Sequence, residues 1–129
     1  MVKLLVDMSM TLIHHGHTRL LQKAAEVGYV IVGLNTDEDI LKHKGFKPKL
    51  TFDNRKELAL AIRWVGEVLP VPWPLDSTFL DSHNIDFLVR GDLDWYYKDP
   101  ENLQKLPINR IMLFPRTPNI SSTILRGEI

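Results

Sequence analysis

The chain has 129 residues, with 16 Lys and Arg against 16 Asp and Glu, no cysteine and 44% hydrophobic residues. A domain of this size buries about two-thirds of the surface its unfolded chain exposes, so one domain spanning 1–129 needs no disulfide or structural metal, and the missing cysteines exclude both a disulfide scaffold and a Cys-ligated zinc site. Zero formal charge excludes a general nucleic-acid binder; no run approaches the ~20 apolar residues of a membrane span, and Asp7 interrupts MVKLLVDMSM too early for a signal peptide, so the cytoplasm is the expected compartment.

Val2 to Val6 reads as a buried strand followed by a small, polar turn around Ser9 and Thr11. Leu20, Leu21, Ala24 and Ala25 then recur at helical spacing between His17 and Val27, with Gly28 placed for a left-handed helix end. Tyr29 to Leu34 is unbroken apolar sequence, as expected of a parallel strand covered on both faces. Thr36 is a natural cap for a short helix through Asp39, Ile40 and Leu41. A basic stretch follows, and Asp53 is expected to cap a helix carrying the stripe Leu58, Ala61, Ile62 and Val65. Glu67 to Val71 and Asp86 to Val89 read as strands with a helix from Asp76 to His83 between them. Ile108 to Phe114 is expected to be the last strand and Ser121 to Ile129 the last helix.

This alternation predicts an α/β fold: a Rossmann-like, doubly wound parallel five-stranded sheet with helices on both faces. Ligands of such sheets bind beyond the carboxyl ends of the strands, so the loops after the first strand, before Arg55, after Val89 and after Phe114 should meet.

Two segments could carry chemistry there. In His14-His15-Gly16-His17, the two outer histidines lie three apart and share one side of a helical turn, while Gly16 leaves room for close approach of a ligand. At a helix start this suits an anion such as phosphate; a metal-binding tetrapeptide and a plain polar loop are the rival readings, and no HExxH partner completes a zinc site. In Arg116-Thr117-Pro118-Asn119-Ile120-Ser121-Ser122-Thr123, hydroxyls and helix-start N–H groups stand beside a guanidinium that can fork onto phosphate. The rival there is an ordinary helix cap.

HHGH fits the HxGH signature of the nucleotidyltransferase superfamily, and RTPNISST is similar to the RTxGISTT segment of its cytidylyltransferase branch, typified by glycerol-3-phosphate cytidylyltransferase. The resemblance also takes in NTDE at Asn35–Glu38, DNRKE at Asp53–Glu57, RWVGEV from Arg63, HNIDFLVRGD from His83 and Trp73. It implies in-line attack by a small alcohol phosphate on the α-phosphorus of CTP, with Mg2+ bridging phosphate oxygens and no metal ligand assigned to the protein. It also implies a homodimer. His14, His17, Lys44 and Arg116 would be catalytic. Ser9, Met10, Gly16, Asp92, Thr117, Ile120, Ser121, Ser122 and Thr123 would bind nucleotide, and Arg55, Arg63 and Trp73 the substrate phosphates or acceptor. The alternatives are an ATP-using adenylyltransferase of the same superfamily and a non-catalytic nucleotide-binding protein.

The chain departs from the family pattern at three places. The family's Gly and Asp before HxGH are Met8 and Thr11, its Asp in the RYVDEV run is Gly66, and the Gly of RTxGISTT is Asn119. Outside the site, Trp64 and Trp95 are expected in packing or partner contacts, and His43 and His83 as solvated or hydrogen-bonded structural residues.

Overall fold

The computed structural model describes residues 1–11, 13–91 and 108–114. Its elements run β1 (Lys3–Met8), α1 (His15–Val27), β2 (Tyr29–Asn35), α2 (Asp37–Lys44), α3 (Phe52–Leu60), β3 (Glu67–Val71), α4 (Ser77–Ser82), β4 (Phe87–Arg90), a 3-10 turn (Ile108–Arg110) and β5 (Ile111–Leu113). The strands form one parallel sheet in the order β3-β2-β1-β4-β5.

The apolar runs of β1 and β2 explain why helices cover both faces. Successive side chains of a strand point to opposite sides, so a run with no polar alternation must be buried twice. Leu4 and Val6 of β1 join Val30, Val32 and Leu34 of β2 under Leu21 and Ala24 of α1 and Ala59 of α3. Leu5 and Ile31 face the other way, against Leu80 of α4, Leu75 and Ile85. The predicted doubly wound α/β sheet is what the chain builds.

Several boundaries differ from the sequence expectation. Gly28 is extended (φ −173°), not left-handed. Glycine is needed there because a Cβ would lie 2.3 Å from the Val2 carbonyl oxygen, where the chain turns directly back into the sheet. Thr51, not Asp53, caps α3: its hydroxyl accepts from Asn54 N, and Asp53 falls in the first turn. That helix ends at Leu60, so Ala61, Ile62 and Val65 lie beyond it, and Leu58 is exposed while Arg55 and Ala59 are buried. The first half of the predicted last strand is the 3-10 turn. The predicted last helix, Ser121 to Ile129, lies outside the described residues.

Candidate active site

The turn leaving β1 is the centre of the site. Met10 has φ 51°, a left-handed conformation uncommon for a residue with a side chain, and its side chain is buried in the core. Such a backbone persists only where its surroundings over-determine it. Here the surroundings are two cations gripping Ser9. Arg55 Nη1 donates to the Ser9 carbonyl at 2.6 Å, and Lys44 Nζ donates to the Ser9 hydroxyl at 3.2 Å.

Arg55 is fully buried and carries four contacts. Besides Ser9, it donates to the carbonyls of Asn35 (2.9 Å) and Leu50 (3.2 Å) and to Asp37 Oδ1 (2.7 Å). Asp37 Oδ2 in turn accepts from Phe52 N at 3.2 Å. One guanidinium therefore ties together the turn after β1, the end of β2, the start of α2 and the start of α3. This corrects the expectation that Arg55 contacts phosphate: its side chain is a buried clamp for the loops around the site.

The two histidines are held by each other. His14 is the N-cap of α1 and its Nδ1 accepts from Gly16 N at 3.0 Å, while His17 Nδ1 accepts from His14 N at 3.2 Å. The rings stack with centroids 3.9 Å apart. The expected shared side is thus real, but its cause is a reciprocal cap rather than helical spacing alone. The Gly16 N–H is taken by His14.

Because both Nδ1 atoms accept, each neutral ring carries its proton on Nε2 and presents a donor there. The His17 pKa is lowered to about 4 by burial, with further contributions from the charges of His14 and Lys44. His17 is therefore a neutral Nε2–H donor at physiological pH, and the influence of Lys44 shows that α2 brings its ammonium to the same place. No acidic side chain occupies the first turn of α1, whereas α2 has three and α3 has Asp53, and an acid caps α4. No acidic side chain of the first turn therefore offsets the positive end of the α1 dipole.

Other expected residues fall elsewhere. Arg63 is exposed in the turn before β3, its guanidinium over the Trp64 ring at 5.8 Å. That is the amino end of the strand, opposite in the sheet to the His pair, so within this chain Arg63 is not brought to the site. Trp73 follows β3 at the carboxyl edge, half-buried, and stacks flat on His43 with centroids 4.4 Å apart and planes 4° from parallel. The stack covers one face of the half-buried His43, whose buried Nε2 has no hydrogen-bond partner among the described residues. His83 Nδ1 meets the Phe79 carbonyl at 3.0 Å, as a structural residue should. Asp92, Trp95, Arg116, Thr117, Ile120, Ser121, Ser122 and Thr123 lie outside the described residues.

An ion pair absent from the sequence expectation also sits at this edge: Arg90 Nη1 donates to Asp7 Oδ1 at 2.7 Å. Its only signal in the sequence was a charge ending each of two apolar strands.

The two positions where the family carries a carboxylate hold Thr11 and Gly66 here. Thr11 is buried, with 4% of its surface exposed. At Gly66 a Cβ would lie 2.3 Å from Tyr29 Cε1, so an aromatic ring occupies the space a side chain would need.

A Rossmann-like sheet whose first strand leads into a histidine-capped helix with no acid in its first turn frames the candidate site. The cytidylyltransferase-like family model matches residues 9–128, and the chain belongs to that family of nucleotidyltransferases. It is 34% identical to glycerol-3-phosphate cytidylyltransferase of Bacillus subtilis, over 100% of this chain and 98% of that protein. It is 42% identical to ethanolamine-phosphate cytidylyltransferase of Mus musculus over 99% of this chain, which spans 32% of that longer protein. A lipopolysaccharide core biosynthesis protein of Thermoplasma volcanium shares the fold at a TM-score of 0.69 and 13% identity, covering 90% of this chain and 98% of that one.

Proposed function

We propose that this protein transfers a cytidylyl group from CTP to a small phosphorylated alcohol, releasing pyrophosphate and forming a CDP-alcohol. The observation that carries the reading is the reciprocal His14–His17 cap with Lys44 beside it. It brings two imidazoles and an ammonium together at a helix start whose first turn carries no acidic side chain. The chemistry asks for little else. A phosphate oxygen of the acceptor is already ionised, so it attacks the α-phosphorus without a general base. A P–O bond forms, the opposite P–O bond to the β-phosphate breaks, and pyrophosphate takes the electron pair. Catalysis then consists of alignment and of stabilising charge on phosphate oxygens, the part for which a neutral Nε2–H of His17 and the Lys44 ammonium are suited.

Arg55 acts at one remove, by fixing Ser9 and the left-handed backbone of Met10. The described part of Ser9, Met10 and Gly16 then lines the nucleotide through backbone and small side chains. Arg116 with Thr117, Ile120, Ser121, Ser122 and Thr123 is assigned to the triphosphate, Asp92 to the nucleoside, and Trp73 to the acceptor. These assignments rest on the motif resemblance.

Magnesium is proposed to arrive with the nucleotide. No group of three or more His, Cys, Asp or Glu among the described residues could hold a metal, and Asp7 and Asp37 are engaged by arginines. A homodimer and a cytoplasmic location are likewise proposals; no helix among the described residues is long and apolar enough to cross a membrane.

The test is pyrophosphate release with each of CTP, ATP, GTP and UTP, magnesium, and a panel of polyol and amino-alcohol phosphates. Release with CTP and a phosphorylated alcohol is expected. Release with ATP alone would move the protein to the adenylyltransferases, and nucleotide binding without turnover would make it a binding protein.

A further inference from the structure

The last turn of α2 carries two side chains that reach across to other elements. Ile40 is buried, and His43 and Lys44, three and four positions on, lie on the same side of the helix, while Leu41 and Lys42 are exposed. Lys44 is the last helical residue: Gly45 follows in the left-handed conformation (φ 80°), and its N–H closes onto the Leu41 carbonyl. Lys44 Nζ donates to the Ser9 hydroxyl at 3.2 Å, and His43 lays its ring on Trp73 with centroids 4.4 Å apart and planes 4° from parallel.

A helix of eight residues has little stability of its own and frays from its ends, so the contacts of its last turn decide where that turn sits. The first turn is fixed separately, by Asp37 on Arg55. A lysine stem is flexible, and its ammonium is well placed only where the backbone that carries it is held. Trp73 is a firm platform for that purpose. It follows directly on β3, and Pro72 and Pro74 on either side restrict the backbone that bears it. The His43 Nε2 makes no hydrogen bond to a described residue, so the contact is one of ring faces.

Building on the cytidylyl-transfer reading, we infer that His43 is a positioning residue for the phosphate-binding ammonium of Lys44: by stacking on Trp73 it holds the last turn of α2 where Lys44 reaches Ser9. His43 acts through Lys44 and touches no substrate itself.

The test is calorimetric titration of CTP, with magnesium, into the wild-type protein, His43→Ala, His43→Phe, Lys44→Met and the double variant His43→Ala with Lys44→Met. Alanine is a good helix former, so α2 survives the first change. His43→Ala should raise the Kd for CTP by about threefold to tenfold, the weight of one aromatic pair. His43→Phe keeps a stacking face and should stay within about twofold of wild type. Once Lys44→Met has removed the ammonium, His43→Ala should add less than about twofold, because its effect runs through Lys44. A merely structural histidine would cost affinity equally in both backgrounds, and that result overturns the inference. So does a Kd for His43→Ala equal to wild type, or one for His43→Phe as weak as for His43→Ala. These two comparisons decide the matter even where Lys44→Met binds CTP too weakly to measure. A wild-type protein that neither binds CTP nor releases pyrophosphate would instead remove the cytidylyl-transfer reading, and this inference with it.

Discussion

Arg55 Nη1 donates to the carbonyl of Ser9 across 2.6 Å, linking α3 to the turn after β1 although the two residues are 46 positions apart. That bond is one of four from a side chain with no exposed surface. A charge so buried is tolerated because its donors meet three carbonyls and the Asp37 carboxylate, and removing it would break all four bonds at once. Arg55→Met is expected to destabilise the fold by about 3 kcal/mol, reading the loss as a broken, partly buried charge network. It should also lower turnover, because the backbone at Met10 would no longer be over-determined. Urea denaturation monitored by circular dichroism checks the first part. An unfolding midpoint equal to wild type would show that the clamp is not structural.

His17→Ala removes the Nε2–H donor and the bond that returns to His14 N, while His14 keeps its own bond to Gly16 N. The fold should lose only about 1 kcal/mol, the worth of one ordinary hydrogen bond. Turnover should fall by roughly 100-fold or more, as for loss of one preorganised donor to a developing anion. Pyrophosphate release at saturating CTP reads the effect on kcat, and activity equal to wild type would take His17 out of the chemistry.

The features legible in the sequence are those set by local pattern. The double-sided burial of β1 and β2 follows from runs such as YVIVGL, and the Thr36 cap and the closeness of His14 and His17 follow from spacing of a few residues. Burial of a charge is different, since it depends on what the rest of the chain brings around it. DNRKE gives no sign that Arg55 points inward to the ends of β1 and β2, nor RWVGEV that Arg63 turns away to the opposite edge of the sheet. The Asp7–Arg90 and His43–Trp73 contacts join residues 83 and 30 positions apart, so no local pattern could pair them.

The lowered pKa of His17 makes acid stability a test of its surroundings. Above pH 6.5 the ring is neutral in both the folded and unfolded chain. As pH falls below 6.5 the unfolded chain takes up the proton first, because the folded ring resists it until about 4. Stability should therefore decline between pH 6.5 and 4 and level off below that, with a total loss of about 3 kcal/mol attributable to this one group. His17→Gln cannot titrate, so its stability should fall less over the same interval. Urea titrations of both proteins at half-unit steps give the comparison, and parallel pH curves would mean that His17 is not held neutral by its environment.

Gly66 stands where the family carries an aspartate, and the Tyr29 ring lies close to where a Cβ would be placed. A Cβ at position 66 would approach Tyr29 Cε1 to 2.3 Å and the ring carbon bearing the hydroxyl to 2.5 Å. Tyr29 packs beside the cluster of Leu5, Ile31 and Leu80, so swinging its ring aside disturbs packing on that face. Gly66→Asp is expected to cost about 1–2 kcal/mol, in the range of overpacking a filled site. If the clash with the ring is the cause, the same substitution in a Tyr29→Ala background should cost measurably less, with a coupling of about 1 kcal/mol between the two positions. Denaturation of the four proteins in the cycle measures it; additive effects would show that Tyr29 is not what keeps position 66 a glycine.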